Sequence, residues 1–490
     1  MTHQVASLVL ASTLLFSANA LALTDLTPTH DFSKPEAGEN RPGGSATHTK
    51  RHDKKAFMHP SANMRFEQQL DFKVGNGIFK KIWVSSPSST TASDGLGPLY
   101  NARSCMRCHI RDGRGHPPEG NFPDDNAVSM FLRLSIPAQN DQQREALANS
   151  RVAVIPEPSY GGQLQDFAVQ GLPIEGRMHI EYSEQQVQLS EGETASLQKP
   201  VYRVTDLGFG PMHPDAMLSP RIAPPMIGLG LLEAIPEQAI RAAADPEDRD
   251  GDGISGRANT VWNSETQRTD LGRFGWKAGM PTLNQQNSGA FNGDIGISNP
   301  LFTSPSGDCT GHQPVCLNAP NGNTPAQDNL EASRVMNQLL LFYSRNLAVP
   351  TRKDVGDPEV LAGKAVFYNS GCIGCHTPKF HTRSDNVGAE QRNQLIWPYS
   401  DLLLHDMGEG LADNRPEYQA NGREWRTPPL WGIGLTKTVN GHTNFLHDGR
   451  ARNLLEAVLW HGGEADAAKQ AVIDMPKKDR DNLIRFLESL

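Results

Sequence analysis

Cys105-Met106-Arg107-Cys108-His109 and Cys372-Ile373-Gly374-Cys375-His376 are two copies of one pattern, C-x-x-C-H. In that pattern two thiols add to the two vinyl groups of a haem, and the histidine that follows ligates the iron. With six cysteines and 16 histidines in 490 residues, chance predicts only about 0.002 matches. The spacing therefore predicts two covalently bound haem c groups, held by Cys105, Cys108 and His109 and by Cys372, Cys375 and His376. The rival reading is a pair of thioredoxin-like dithiols or one zinc site built from both pairs. It leaves both histidines without a role and finds no βαβ pattern around either pair.

The chain around these motifs reads as soluble and rich in loops. Hydrophobic residues make up 37%, charged residues 21%, and there are 45 Gly and 35 Pro. A net charge of −9 without a long basic run speaks against nucleic acid as a partner. The apolar run from Val5 to Phe16 is too short to span a bilayer, and small residues follow it at Ala20 and Ala22. Residues 1–22 thus read as a cleavable export signal, which predicts a periplasmic protein with no membrane span. No Lys or Arg precedes the apolar run, so an anchoring or buried N-terminal helix stays open. Cys309 and Cys316, in a polar loop, read as a local disulfide, with catalytic thiols as the alternative.

Residues 23–60 are polar and aperiodic and are expected to form a mobile leader. Helical patterns over 331–343, 358–368 and 480–490 frame a C-terminal cytochrome c-like haem domain at 346–490, after an N-terminal haem domain at 61–345. Alternating residues between 175 and 204 predict a small β-ribbon inserted in the first. The expected fold class is mainly α, as two tandem cytochrome c-like domains. A repeat supports the tandem: Pro224-Pro225-Met226-Ile227-Gly228-Leu229-Gly230-Leu231 parallels Pro428-Pro429-Leu430-Trp431-Gly432-Ile433-Gly434-Leu435.

Further segments carry a family likeness. They include Gly95-Leu96-Gly97-Pro98-Leu99-Tyr100-Asn101-Ala102-Arg103-Ser104, Asp112-Gly113-Arg114-Gly115, Ser219-Pro220-Arg221-Ile222-Ala223-Pro224-Pro225 and Gly272-Arg273-Phe274-Gly275-Trp276-Lys277-Ala278. Asp401-Leu402-Leu403-Leu404-His405-Asp406-Met407-Gly408, Trp425-Arg426-Thr427-Pro428-Pro429, Phe445-Leu446-His447-Asp448-Gly449-Arg450 and Trp460-His461-Gly462-Gly463 continue it. Over most of 70–490 the chain resembles the bacterial di-haem oxidoreductases described as peroxidases, also called predicted thiol oxidoreductases. It is more distantly similar to di-haem cytochrome c peroxidases and to MauG.

The resemblance implies roles for several residues. In the distant relatives a Met or Tyr ligand lies fourteen residues beyond the motif that here contains His447, which places His461 as sixth ligand of the second iron; Met407 competes. His213, eight residues before Arg221, is the candidate ligand or distal gate of the first iron, with His116 and His179 behind it, and a plain loop histidine is the alternative. An open first iron needs an acid/base beside it. Glu233, an acid in apolar company, and Asp294, which follows Gln286, are the candidates. Trp276 precedes Leu283 by seven residues and Gln286 by ten, the spacing of the relatives' Trp, Leu and Gln, which implies an electron relay between haems.

Asp248-x-Asp250-x-Asp252-Gly253 offers three oxygen ligands at calcium-loop spacing, although position twelve is Asn259 and a solvated acidic turn is the alternative. The expected function is a periplasmic di-haem peroxidase-type oxidoreductase. It would take peroxide or a related oxidant at haem 1 and electrons from a small periplasmic donor protein through haem 2. A non-catalytic electron-transfer cytochrome, a MauG-like oxidation of a partner protein and thiol oxidation are the alternatives.

Overall fold

Two matching helix crossings organise the chain. The computed structural model describes residues 26–126 and 128–490, so the expected export signal at 1–22 lies outside the described residues. Helix α1 (Gln69–Lys80) is followed by α2 (Leu283–Gly293) and α3 (Arg334–Arg345), then by α4 (Pro358–Asn369) and the closing α5 (Lys477–Ser489). Helix α1 crosses α3, and α4 crosses α5. Each crossing rests on a glycine. A side chain at Gly75 would strike the Leu339 carbonyl, and one at Gly363 the Asn482 carbonyl. Such close approach lets α3 bury Leu340 and Tyr343, and α5 bury Leu483, Phe486 and Leu487, in the apolar stripe their 3.6-residue period provides.

The sequence repeat is a structural one. Gly228 and Gly432 both take left-handed backbone, with φ of 71° and 72°, and each opens a short helical turn, at Leu229–Glu233 and at Ile433–Leu435. The Gly228 amide donates to the Leu347 carbonyl, and the Gly432 amide to that of Leu490, just beyond the closing helix of its own crossing.

The expectation of a mainly α fold is corrected here. Among the described residues helix accounts for 30% and strand for 17%, the latter in seven two-stranded sheets and in isolated bridges. Frequent Gly and Pro interrupt helical periods, and the intervening segments pair two by two in short ladders. Strand β1 (Met130–Ser135) precedes a long ribbon of β2 (Arg177–Gln188) and β3 (Thr194–Thr205), paired antiparallel from Arg177 opposite Thr205 to Gln188 opposite Thr194; β4 (Met217–Ile222) then pairs with β1. The ribbon lies across the C-terminal part. Glu184 meets Arg452, Glu193 meets Arg480, and the Tyr202 hydroxyl donates to Asp448 at 2.9 Å.

The leader expected to be mobile is also corrected: residues 26–60 are packed onto the body. Glu39 pairs with Arg352 and, at 2.8 Å, with Lys364, all three being buried. Glu36 takes Lys364 at 2.9 Å and Lys379 at 2.6 Å. The polar sequence of this stretch supplies counter-charges to cations buried elsewhere, which its composition alone does not reveal. Cys309 and Cys316 form a disulfide, with Cα atoms 6.1 Å apart. No helix among the described residues is long and apolar enough to cross a membrane.

Two candidate haem cavities

The crossing of α1 and α3 presents Phe79, whose ring lies 6.1 Å from that of His109; in the second crossing Phe367 lies 6.0 Å from His376. Each histidine follows its cysteine pair on the wall of a large cavity. His109 directs Nδ1 to the Pro224 carbonyl at 2.8 Å, and His376 directs Nδ1 to the Tyr399 carbonyl at 2.9 Å. A carbonyl can only accept, so Nδ1 carries the hydrogen and Nε2 keeps its lone pair. Burial lowers both pKa values to about 4, which keeps the imidazoles neutral at physiological pH. Neutral imidazole with Nε2 free is the form that ligates a metal.

The four cysteines of the motifs form no disulfide. Burial pushes Cys105 and Cys372 up to about 12, and Cys108 and Cys375 also rise.

The second cavity contains His461, expected from the spacing to His447. Its Nδ1 donates to the Ala457 carbonyl at 2.7 Å, again leaving Nε2. Met407, the competing ligand, lines the same cavity. Beside Cys375 lies His405, held by Asp401 at 2.8 Å and Glu464 at 2.7 Å. With a carboxylate on each ring nitrogen it is an imidazolium. Burial opposes that charge, but the carboxylates, Asp401 foremost, hold its pKa well above the usual histidine range. His447 stacks on Trp425 with centroids 3.7 Å apart and an interplanar angle of 14°.

In the first cavity His109 is the one histidine on the wall among the described residues. His213 lines neither cavity. Its backbone amide donates to Glu157 at 2.7 Å in the loop after the ribbon, and its Nδ1 accepts from the Asp215 amide. Glu233 also lies outside, in a polar cleft, paired with Arg345 at 2.6 Å and accepting from the Leu283 amide at the start of α2. Its apolar neighbours in sequence, Leu231 and Leu232, are buried, while its own side chain turns to that cleft. Asp294 does line the first cavity, with its charge acting on Cys105 and Cys108 and Gln163 donating to it at 3.0 Å. Burial raises its pKa.

A carboxylate that the sequence reading missed enters this cavity from the C-terminal part. Glu417 Oε2 accepts from Arg221 at 3.1 Å and from Arg415 at 3.0 Å. Its Oε1 lies over Gly279, where a side chain would collide with it. Burial would raise its pKa, but Arg221, Arg415, Arg133 and Lys277 hold it down to about 2. Nothing local marks Glu417, because Asn414-Arg415-Pro416-Glu417 reads as an ordinary polar loop.

Trp276 belongs to the walls of both cavities, with its indole N–H donating to the Ile222 carbonyl at 2.9 Å. Asp248, Asp250 and Asp252 bring one oxygen each within 4.8 Å of one another, and Asp252 also borders the second cavity. Asn259 is buried and donates to the Lys277 and Glu417 carbonyls.

Two cavities, each entered by a neutral histidine and a cysteine pair, define a protein that carries two prosthetic groups. The family profile described as di-haem oxidoreductase, putative peroxidase, matches residues 37–490, and the chain belongs to that family. No curated protein matches the chain. Two haem groups follow from the family, and the free Nε2 atoms of His109 and His376, inside largely apolar walls, fit them.

Proposed function

We propose that this protein is an exported c-type di-haem peroxidase in which the first cavity reduces peroxide and the second passes electrons to it. The reading rests on one asymmetry: the second cavity offers, besides His376, the neutral imidazole of His461 with its Nδ1 hydrogen committed to a carbonyl, and that of His447 stacked on Trp425, whereas among the described residues the first offers His109 alone. Cys105 with Cys108 and Cys372 with Cys375 attach the porphyrins by thioether bonds, in two haem-bearing parts at 61–345 and 346–490. A haem iron with an open position supplies a coordination site for peroxide and electrons for cleaving its O–O bond.

The residues around it manage the protons. Glu417, ionised at neutral pH, takes the peroxide proton and returns it to the departing oxygen. Arg221 and Arg415 hold that carboxylate in place and stabilise negative charge as it develops. Two electrons and two protons convert each hydrogen peroxide to two waters. The electrons come from a small donor protein in the periplasm, through the second cavity and Trp276. Asp248, Asp250 and Asp252 bind calcium at the edge of the second cavity.

Stopped-flow mixing of the holoprotein with hydrogen peroxide tests the proposal, with rapid spectral conversion expected. Absence of reaction in both the oxidised and the half-reduced protein overturns it in favour of a non-catalytic electron carrier.

A further inference from the structure

Arg114 and Arg426 line both cavities, together with Trp276 and Pro428. Both are buried, at 6% and 7% exposure. The Arg114 guanidinium lies 5.7 Å from the Trp276 ring and donates to the Leu446 carbonyl at 3.3 Å. Arg426 donates from Nε to the Gly275 carbonyl at 2.9 Å and from Nη1 to the Thr427 carbonyl at 3.1 Å. These are neutral acceptors. Among the described residues neither guanidinium has a carboxylate within ion-pair distance, unlike Arg221, Arg415, Arg450 and Lys277 nearby. The charge of Asp401 reaches Arg426, but that carboxylate is engaged by His405. Burial pushes both arginines down to about 10.

An arginine stays protonated even so, and a buried cation without a counter-charge is strongly unfavourable. A ligand that brings carboxylates into the cavities removes the difficulty. Each haem carries two propionates, and Arg pairs with carboxylates in bidentate geometry. We propose that Arg114 and Arg426 form one cationic seam that binds propionate carboxylates of both haem groups and thereby ties the redox potentials of the two centres to a shared pair of charges. The inference rests on each cavity holding one haem.

Spectroelectrochemical titration of the holoprotein tests it. Replacing Arg426 by Gln leaves propionate charge uncompensated, which disfavours the added electron. The midpoint potentials of both centres are expected to fall, each by about tenfold in the reduction equilibrium, or 59 mV for one electron. Arg114→Gln has the same effect, and Arg426→Lys, which keeps the charge, restores most of it. Arg273→Gln is the contrast, since Arg273 lines the first cavity and not the second; it shifts the first centre alone.

Shifts below threefold, or a shift of one centre only in both Arg426→Gln and Arg114→Gln, overturn the seam. Should the glutamine variants lose haem, resonance Raman of the wild-type protein and Arg426→Lys reads the propionates directly. Hydrogen-bonded propionate bending modes at both haems that shift in the lysine variant support the inference, and unchanged modes overturn it. A pyridine haemochrome value below two haems per wild-type chain instead sinks the occupancy of the cavities.

Discussion

His376 and His461 line one cavity, and each commits its Nδ1 hydrogen to a backbone carbonyl, Tyr399 for the first and Ala457 for the second. Both rings are thereby locked in the tautomer whose Nε2 can bind iron. His461→Ala is expected to convert the second haem from low-spin to high-spin and leave the first unchanged, as read by EPR of the ferric protein. A low-spin spectrum that survives the substitution overturns His461 as the ligand and leaves Met407 or His447, both on the same wall.

Glu417→Gln keeps the shape of the first cavity but removes its proton acceptor. The second-order rate constant for peroxide is expected to fall by about 10²-fold or more, since general acid–base groups contribute at least that much. Stopped-flow traces of the two proteins make the comparison.

The same carboxylate gives a stability prediction with a definite sign. Its pKa in the folded protein, about 2, lies below its ordinary value of 4.5. The stabilisation is therefore complete above pH 4.5 and is lost as pH falls toward 2. It amounts to about 3 kcal/mol, from 1.36 kcal/mol per pKa unit. Urea unfolding of the wild type should lose stability across that window, and Glu417→Gln should flatten the slope there.

Removing Glu39 leaves Arg352 buried without a carboxylate and deprives Lys364 of one of two. Breaking a buried pair at one partner costs about 3 kcal/mol or more. Glu39→Gln is expected to lower the thermal midpoint of the holoprotein accordingly, although residues 26–60 line neither haem cavity.

Two glycines in α1 should respond to alanine with opposite signs. Gly75 abuts the Leu339 carbonyl and the Tyr343 side chain, and Gly77 has open space around it. Gly75→Ala is expected to destabilise by about 1–3 kcal/mol through overpacking. Gly77→Ala is expected to stabilise by up to about 1 kcal/mol through helix propensity. Chemical denaturation of both variants decides.

Much of the candidate site was legible in the chain. Haem attachment needs two thiols and a histidine within one turn, so C-x-x-C-H appears as contiguous text, and the Pro-Pro repeat marks where each helix crossing closes. His461 could be reached by spacing from His447 because one short helix, Leu454–Leu459, separates them. Glu233 illustrates the limit. Its neighbours Leu231 and Leu232 are buried, yet its own side chain turns outward to Arg345. The strand content was equally hidden, since two-residue ladders such as Leu99–Tyr100 with Phe167–Ala168 leave no periodic signal.

Read alone, the chain marked two C-x-x-C-H motifs, and with them two places at which a haem is expected, in keeping with the two haem groups of the family. Only the tertiary structure decided that Glu417, rather than Glu233, enters the first cavity, and that Arg114 and Arg426 share a wall between the two. The physical reason is range. A motif such as C-x-x-C-H is written in near neighbours in sequence, whereas the burial of a charge depends on segments hundreds of residues apart arriving at one place.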